Sequence, residues 1–478
     1  MPLDRKLTPA VTADLAVRLA PLLMILAIAM RPDQLSDLGW QLRLGERIAQ
    51  SGTPFLGETW AADHLGEHLV PNAWLAQLLF AQARSLGGWH LLRGFDAALW
   101  LGSLLVAAAP AQRREERPLA ILLALAIGFA LALPAISIRP QGFAALGFAL
   151  TFGPMQAIKS WRKAALIGAP LFVLWQNLHP SVALAAAILG LVAAGLWVRH
   201  FIGTGDRPWP ATVLAGLAAA AVLATPAGTG IVAFAWQNEL ASKAAGATEW
   251  FPVWEPVNRI FLLPVAASAA MAATVLVRHR RSEILVDALV LAATLALAVI
   301  ATRFILFYAL ALIPIVARCR IGSTLPARSK TATGAAVSAA ALLGSLAVLV
   351  FLPVRISAIV PNRAIALMLA SAGNGTIYCD PAYGGAIIDA APDRARVSMD
   401  GRFFLYTREE IGLFNATETS TGSLAAIVAR YHPSAVLLFA ARSPALVQEL
   451  RRSPDNWQEL AVDRGAILFV RRANNQGT

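Results

Sequence analysis

Six polar residues in an otherwise apolar chain are candidates for chemistry. Asp37 lies a few residues beyond the first apolar stretch, at the start of an amphipathic run. A carboxylate at a membrane–water boundary stays ionised and is positioned to accept a proton from a hydroxyl. The competing reading is that Asp37, after Ser36, favours a helix N-terminus by capping and dipole. Arg139, in Arg139-Pro140-Gln141, and Arg303 each stand alone at the end of an apolar stretch. A guanidinium in that position can grip a phosphate through two parallel N–H donors, or it can snorkel to lipid headgroups. Asn177 and His179 share a third such end, and Glu249 belongs to a polar segment over 228–259. Convergence of these groups on one ligand is the functional reading.

Other polar groups carry less. His64-Leu65-Gly66-Glu67-His68 has the spacing of an inverted zinc-protease motif, which needs a helix to bring both histidines to one face. Gly66 inside the run, Pro71 beyond it and the lack of an evident third ligand point to a polar turn. No metal site is expected. Cys319 and Cys379 show no zinc or redox spacing, and the topology below puts them on opposite sides of a membrane.

The elements that must position these residues are membrane spans. The chain is 57% hydrophobic and 14% charged, with mean hydropathy +0.61, against roughly 25% charged in soluble domains. Apolar stretches recur near 14–31, 89–111, 118–136, 141–158, 164–178, 181–198, 211–227, 260–277, 284–301, 304–317 and 331–353. Since about 20 apolar residues cross roughly 30 Å of hydrocarbon, these read as about eleven spans. The first has no small-residue cleavage site after it and reads as a retained span. Every second connection is basic: Arg5 and Lys6, Arg113 to Arg117, Lys159 to Lys163, Arg199 with Arg207, Arg278 to Arg281, and Arg318 to Lys330. The positive-inside rule makes this set cytoplasmic, with the N-terminus. The C-terminal part and all six candidates then face outward. The net charge of +12 belongs to these loops, so nucleic acid is excluded as a partner and membrane lipids are expected.

Three parts follow. Residues 1–354 form a helical bundle that includes an outer loop, 32–88. In that loop SDLGWQLRLGERIAQSG, ended by Gly52 and Pro54, and NAWLAQLLFAQARSLGG read as helices lying in the membrane interface. Trp40, Trp60, Trp74 and Trp89 are well placed as their anchors. Residues 355–478 switch to strand-like runs at 376–379, 395–399, 434–440 and 466–470 with helical patterns between them. That alternation predicts a small α/β layer with a mostly parallel sheet. Tyr383-Gly384-Gly385 is expected as a turn opening a helix, and Asp400-Gly401-Arg402 at a strand end. Both motifs are expected to hold or dock this domain, with substrate contact as the alternative.

The motifs carry a resemblance. Asp37-Leu38-Gly39-Trp40-Gln41-Leu42-Arg43-Leu44-Gly45, then Gly52-Thr53-Pro54, then Trp74-Leu75 are similar to the first loop of a bacterial family assigned to the GT-C glycosyltransferase superfamily. The similarity continues through Arg139-Pro140-Gln141, Trp175-Gln176-Asn177-Leu178-His179, Thr225-Pro226-Ala227-Gly228, Glu249-Trp250 and Arg303-Phe304. It extends to Tyr383-Gly384-Gly385 and Asp400-Gly401-Arg402. The chain departs from the pattern at Ala73, where many relatives carry Glu, and it shows no second acid after the third span.

The resemblance implies a polytopic GT-C-type bundle in a bacterial plasma membrane, with the C-terminal α/β domain extracytoplasmic. It implies transfer of a sugar from a polyprenyl-phosphate donor, with no resident cofactor. Asp37 would act on the acceptor hydroxyl, Arg139 and Arg303 would offset charge on the leaving phosphate, and Asn177, His179 and Glu249 would help bind substrate. Two other classes remain: an inactive GT-C relative serving as an assembly scaffold, and a carrier for lipid-linked sugars. The carrier predicts ionisable groups inside several spans, and Asp287 and Asp96 are the few candidates.

Overall fold

A computed structural model describes residues 9–32, 35–113, 117–278, 284–321, 343–344, 347, 357 and 360–472. The expected span near 331–353 lies almost wholly outside the described residues, as do Arg5, Lys6, Arg328 and Lys330. In chain order the elements are α1 (Pro9–Ala29), α2 (Leu35–Ser51), β1 (Leu56–Gly57), β2 (His68–Leu69), α3 (Trp74–Arg113), α4 (Pro118–Ala132), α5 (Gln141–Phe152), α6 (Trp161–Leu178), α7 (Val182–Phe201), α8 (Trp209–Ala221), α9 (Gly230–Ala244), α10 (Leu262–Arg278), α11 (Ile284–Ile300) and α12 (Ile305–Val316). The C-terminal part adds α13 (Asn362–Ser371), β3 (Ile377–Cys379), α14 (Pro381–Ala390), α15 (Arg408–Thr419), α16 (Ser423–Tyr431), β4 (Ala435–Phe439), α17 (Pro444–Arg451), β5 (Trp457–Asp463) and β6 (Ala466–Arg471). Non-helical dihedrals at Gly87 and Gly88 break α3 in two.

The chain forms two compact units. The first comprises Met1–Arg31, Ala83–Gly228 and Thr248–Pro353. It is a bundle of apolar helices around buried Trp100, Trp175, Phe148, Phe172 and Tyr308. Its outward faces are apolar too: Leu166, Phe201 and Leu263 are 76–78% exposed. A helix that is apolar all round needs a partner other than water. Among the described residues four helices are long and apolar enough to cross a membrane: Trp74–Ala111, Pro118–Ala135, Val182–Phe201 and Pro256–Arg278. Others fall short of the expected spans. α8 has 13 residues and α12 has 12, so each rises only about 20 Å of the roughly 30 Å of hydrocarbon.

The second unit comprises Pro32–Gln82, Thr229–Ala247 and Val354–Thr478. The outer loop, placed with the bundle on sequence grounds, thus groups with the C-terminal layer. The reason is α2, which buries Leu35, Leu38, Trp40, Leu42, Leu44 and Ile48. It crosses α14 where two glycines meet: a Cβ on Gly39 would overlap the Gly385 carbonyl, and one on Gly385 the Ser36 carbonyl. Trp40 and Trp60, expected as interface anchors, are instead 9% and 1% exposed inside this unit. α9 joins through Phe234 against Phe404, ring centroids 4.5 Å apart.

The sheet order is β3-β4-β6-β5. Among the described strand pairs of this sheet β3–β4 is parallel, while β4–β6 and β5–β6 are antiparallel, which corrects the mostly parallel expectation. The expected strand at 395–399 is reduced to single bridges from Val397 to Ile377 and to Ala61, because the chain turns away at Asp400. β5 was not foreseen, since its solvent side exposes Gln458 and Glu459 and breaks the apolar run. The hairpin turn is the signal that marks it: Arg464 and Gly465 both adopt positive φ, 52° and 83°, as a two-residue hairpin loop demands. Tyr383-Gly384-Gly385 is not a turn but lies inside α14, which Pro381 opens and the Asp380 side chain caps by accepting from the Ala382 N–H.

Candidate functional site

In the first unit, four turns at helix ends bring polar side chains together. Arg139 precedes α5, and Glu249 sits in a short 3-10 turn, Thr248–Trp250. Arg303 sits in another, Thr302–Phe304, between α11 and α12. The Glu249 turn is pinned from two sides. The Asn258 amide, 4% exposed, donates to the carbonyls of Thr248 and Phe251 at 2.9 and 3.0 Å. The Thr302 hydroxyl donates to the Glu249 carbonyl at 3.3 Å. The Glu249 carboxylate then lies 3.6 Å from an Arg139 nitrogen and 3.7 Å from an Arg303 nitrogen. Arg303 also stacks on Trp250, 3.7 Å from the ring centroid, a cation–π contact.

His179 and Asn177 lie at the turn between α6 and α7. The His179 Nδ1 accepts the Ser181 N–H at 3.2 Å, so the neutral ring carries its proton on Nε2. Burial, and then the positive charge of Arg303, push its pKa down to about 3. His179 is therefore a neutral donor beside Arg303. Asn177 donates through its amide to the carbonyls of Val173, one turn back in α6, and Ala224, beyond α8, at 2.9 and 2.7 Å, tying the end of α6 to the segment after α8. Of the sequence candidates, Arg139, Glu249, Arg303 and His179 thus share one cluster, and Asn177 serves the backbone that carries it.

Asp37 belongs to the second unit, in the first turn of α2. Its Oδ1 fills the space that a side chain on Gly401 would need, and Trp40 Nε1 is 3.3 Å from the same point. Behind Gly401 is a buried ion cluster. Arg402 is wholly buried and donates to Asp400 Oδ2 at 2.6 Å and to Glu58 Oε2 at 2.5 Å. Glu58 Oε1 accepts the N–H groups of Trp60 and Ala61 at 2.7 and 2.9 Å, and the Asp400 N–H donates to the Tyr406 hydroxyl at 3.0 Å. Arg47 and Arg402 both stack on Trp60, at 5.1 and 5.4 Å. Burial alone would raise the Glu58 pKa, but the charge and hydrogen bonds of Arg402 hold it below the usual range. Glu58 was missed on sequence; no local pattern distinguishes it from any other loop acid.

The His64 run is not helical. Ala62–His64 is a 3-10 turn and His68 opens β2. His64 Nε2 bonds Glu410 at 3.1 Å and Nδ1 bonds Glu67 at 3.0 Å. The hydrogen bond to Glu410 raises the His64 pKa to about 9 against the opposing effect of burial. Burial would raise Glu410, but the bonds from His64 and Thr407 outweigh it and lower its pKa to about 2. Arg430 also approaches Glu410, at 3.5 Å. A raised base stabilises the fold below its unfolded pKa, near 6.5, and loses that contribution as pH climbs through about 9. A lowered acid stabilises above its unfolded value, near 4.5, and loses it as pH falls through about 2. The melting temperature of the wild type minus that of His64→Gln is therefore expected to be largest between about pH 4.5 and 6.5 and to shrink on both sides. A difference that grows from pH 6.5 to 9 would contradict the pairing.

Compared with known proteins, the chain matches no family model and no curated protein. Among solved structures, it is similar to ArnT from Cupriavidus metallidurans bound to undecaprenyl phosphate over 98% of this chain and 99% of that one, at 12% identity and a TM-score of 0.33. Likeness of that degree transfers neither site nor activity.

Proposed function

We propose that this chain is a multi-pass membrane glycosyltransferase that moves a sugar from a polyprenyl-phosphate donor to a hydroxyl of a glycan, lipid or protein acceptor on the outer face. The observation that carries the reading is the convergence of Arg139 and Arg303 on Glu249, with neutral His179 beside Arg303. Ion pairs this long, to a carboxylate 43% exposed, are worth only about 1 kcal/mol or less, so a phosphate can take the place of Glu249. The acceptor hydroxyl loses its proton as its oxygen bonds the sugar carbon, and the bond from that carbon to the donor phosphate breaks, the phosphate leaving with the electron pair. The role assigned to Asp37 is to take the proton, and the role assigned to Arg139 and Arg303 is to meet the charge of a phosphate.

The arrangement of the chain supports the outward placement. Pro32–Gln82, Thr229–Ala247 and Val354–Thr478 build one unit, and these are the long segments that the charge pattern assigns to the outer face.

The test is retention of polyprenyl phosphate by the full chain in nanodiscs, read by native mass spectrometry. Arg139→Ala and Arg303→Ala should each weaken retention about 10- to 100-fold, as expected for a charged hydrogen bond of roughly 1.5–3 kcal/mol. Unchanged retention in the double variant would remove the phosphate site.

A further inference from the structure

We propose that Gly401 and Arg402 position the Asp37 carboxylate, so that the proton acceptor is seated by the C-terminal layer. The inference rests on the reading of Asp37 as proton acceptor. Gly401 is not at positive φ among the described residues, so its backbone has no need of glycine. What it needs is the missing Cβ, whose place is taken by Asp37 Oδ1. Trp40, one turn along the same helix, brings its indole nitrogen to 3.3 Å from that point. Asp37 and Trp40 therefore close on a single backbone position.

That position is held from behind. Arg402 donates its backbone N–H to Asp400 Oδ1 at 2.8 Å and its guanidinium to both Asp400 and Glu58, which clamps the chain on either side of Gly401. Gly384 lets this turn press onto α14, since a Cβ there would come within 2.8 Å of the Asp400 Cα. The Gly39–Gly385 crossing fixes the start of α2 against the same helix. One carboxylate thus has both its backbone and its oxygen located by the two glycine-bearing motifs of the C-terminal layer.

The glycines differ in what an added methyl group would meet. At Gly39 and Gly385 the obstacle is backbone carbonyl, which cannot move away. At Gly401 it is the far end of the Asp37 side chain, which rotates at small cost. Gly401→Ala should therefore displace the carboxylate and leave the fold standing.

The experiment uses the full chain in nanodiscs with a polyprenyl-phosphate sugar as donor. Gly401→Ala should lower kcat about 100-fold, the scale of an ångström misplacement, with KM for the donor within about 2-fold and Tm within about 2 °C. In an Asp37→Asn background it should cost nothing further, since both act through one group. Gly412→Ala, on an exposed helix face with nothing within 4 Å of its Cβ, should keep full activity. A second readout needs no turnover: carbodiimide coupling of an amine to Asp37, quantified by mass spectrometry, should change several-fold in Gly401→Ala. Unchanged kcat and unchanged labelling overturn the proposal, as does activity lost only with a collapsed Tm. A wild type that transfers no sugar but whose Asp37 labelling responds to Gly401→Ala would sink the enzymatic reading and leave the seating intact.

Discussion

Arg402→Ala is expected to unfold the second unit. The side chain is fully buried between two buried carboxylates, Asp400 at 0% and Glu58 at 2% exposure. Removing it leaves both charges in a site walled by Trp40, Trp60 and Tyr406. Breaking one buried pair costs about 3–5 kcal/mol, and here one guanidinium serves two acids. A domain is stable by only about 5–15 kcal/mol, so the loss consumes much of the total. The measurement is protease resistance of residues 360–472 in the purified chain, with Tm beside it. Neutralising the whole cluster should restore much of what the single change removes, because apolar or uncharged replacement of an entire buried set is often tolerated. Glu58→Gln, Asp400→Asn and Arg402→Met together are therefore expected to resist protease better than Arg402→Ala alone. If Arg402→Ala melts within about 2 °C of wild type, the cluster does not hold the unit.

The same cluster shows where sequence reading stops. Asp400-Gly401-Arg402 stood out as a motif, and its role in holding the domain was the expected one. Its partner Glu58 is 344 residues away from Arg402, and one sequence carries no signal for such a pair. Trp40 and Trp60 were read by the general habit of tryptophan at membrane interfaces. A buried guanidinium offers them a different partner, and that guanidinium can only be placed in three dimensions. By contrast α2 ends at Ser51 with Gly52 at φ 68°, because a helix stop written as Gly-x-Pro is local chemistry. In the layer, apolar runs marked β3, β4 and β6 but not β5, whose exposed polar residues hid it. In the bundle, charge alternation gives each connection an expected side of the membrane. Only the fold shows that Arg139 and Arg303 meet at one acid.

Asp37→Asn is expected to abolish sugar transfer while leaving the protein folded. Asparagine keeps the shape of the side chain beside Gly401, so the seat made by the missing Cβ remains filled. It removes the charge and the basic oxygen that would take the acceptor's proton. General-base catalysis contributes about 10²–10⁴-fold, and the loss should fall in that range. Packing gives no reason for a large stability cost, since Asp37 is only partly buried and isosteric changes at such sites usually fall within about 0.5 kcal/mol. Retention of polyprenyl phosphate should be unchanged, because the guanidiniums assigned to it belong to the first unit. That separation is what gives the experiment its force. A scaffold has no use for a proton acceptor, so it would tolerate the change in every assay. An enzyme would hold its donor, melt at its usual temperature and fail only at transfer. If Asp37→Asn transfers sugar at more than about half the wild-type rate, well inside the 10²-fold floor for a lost base, Asp37 is not the base and the scaffold reading moves ahead.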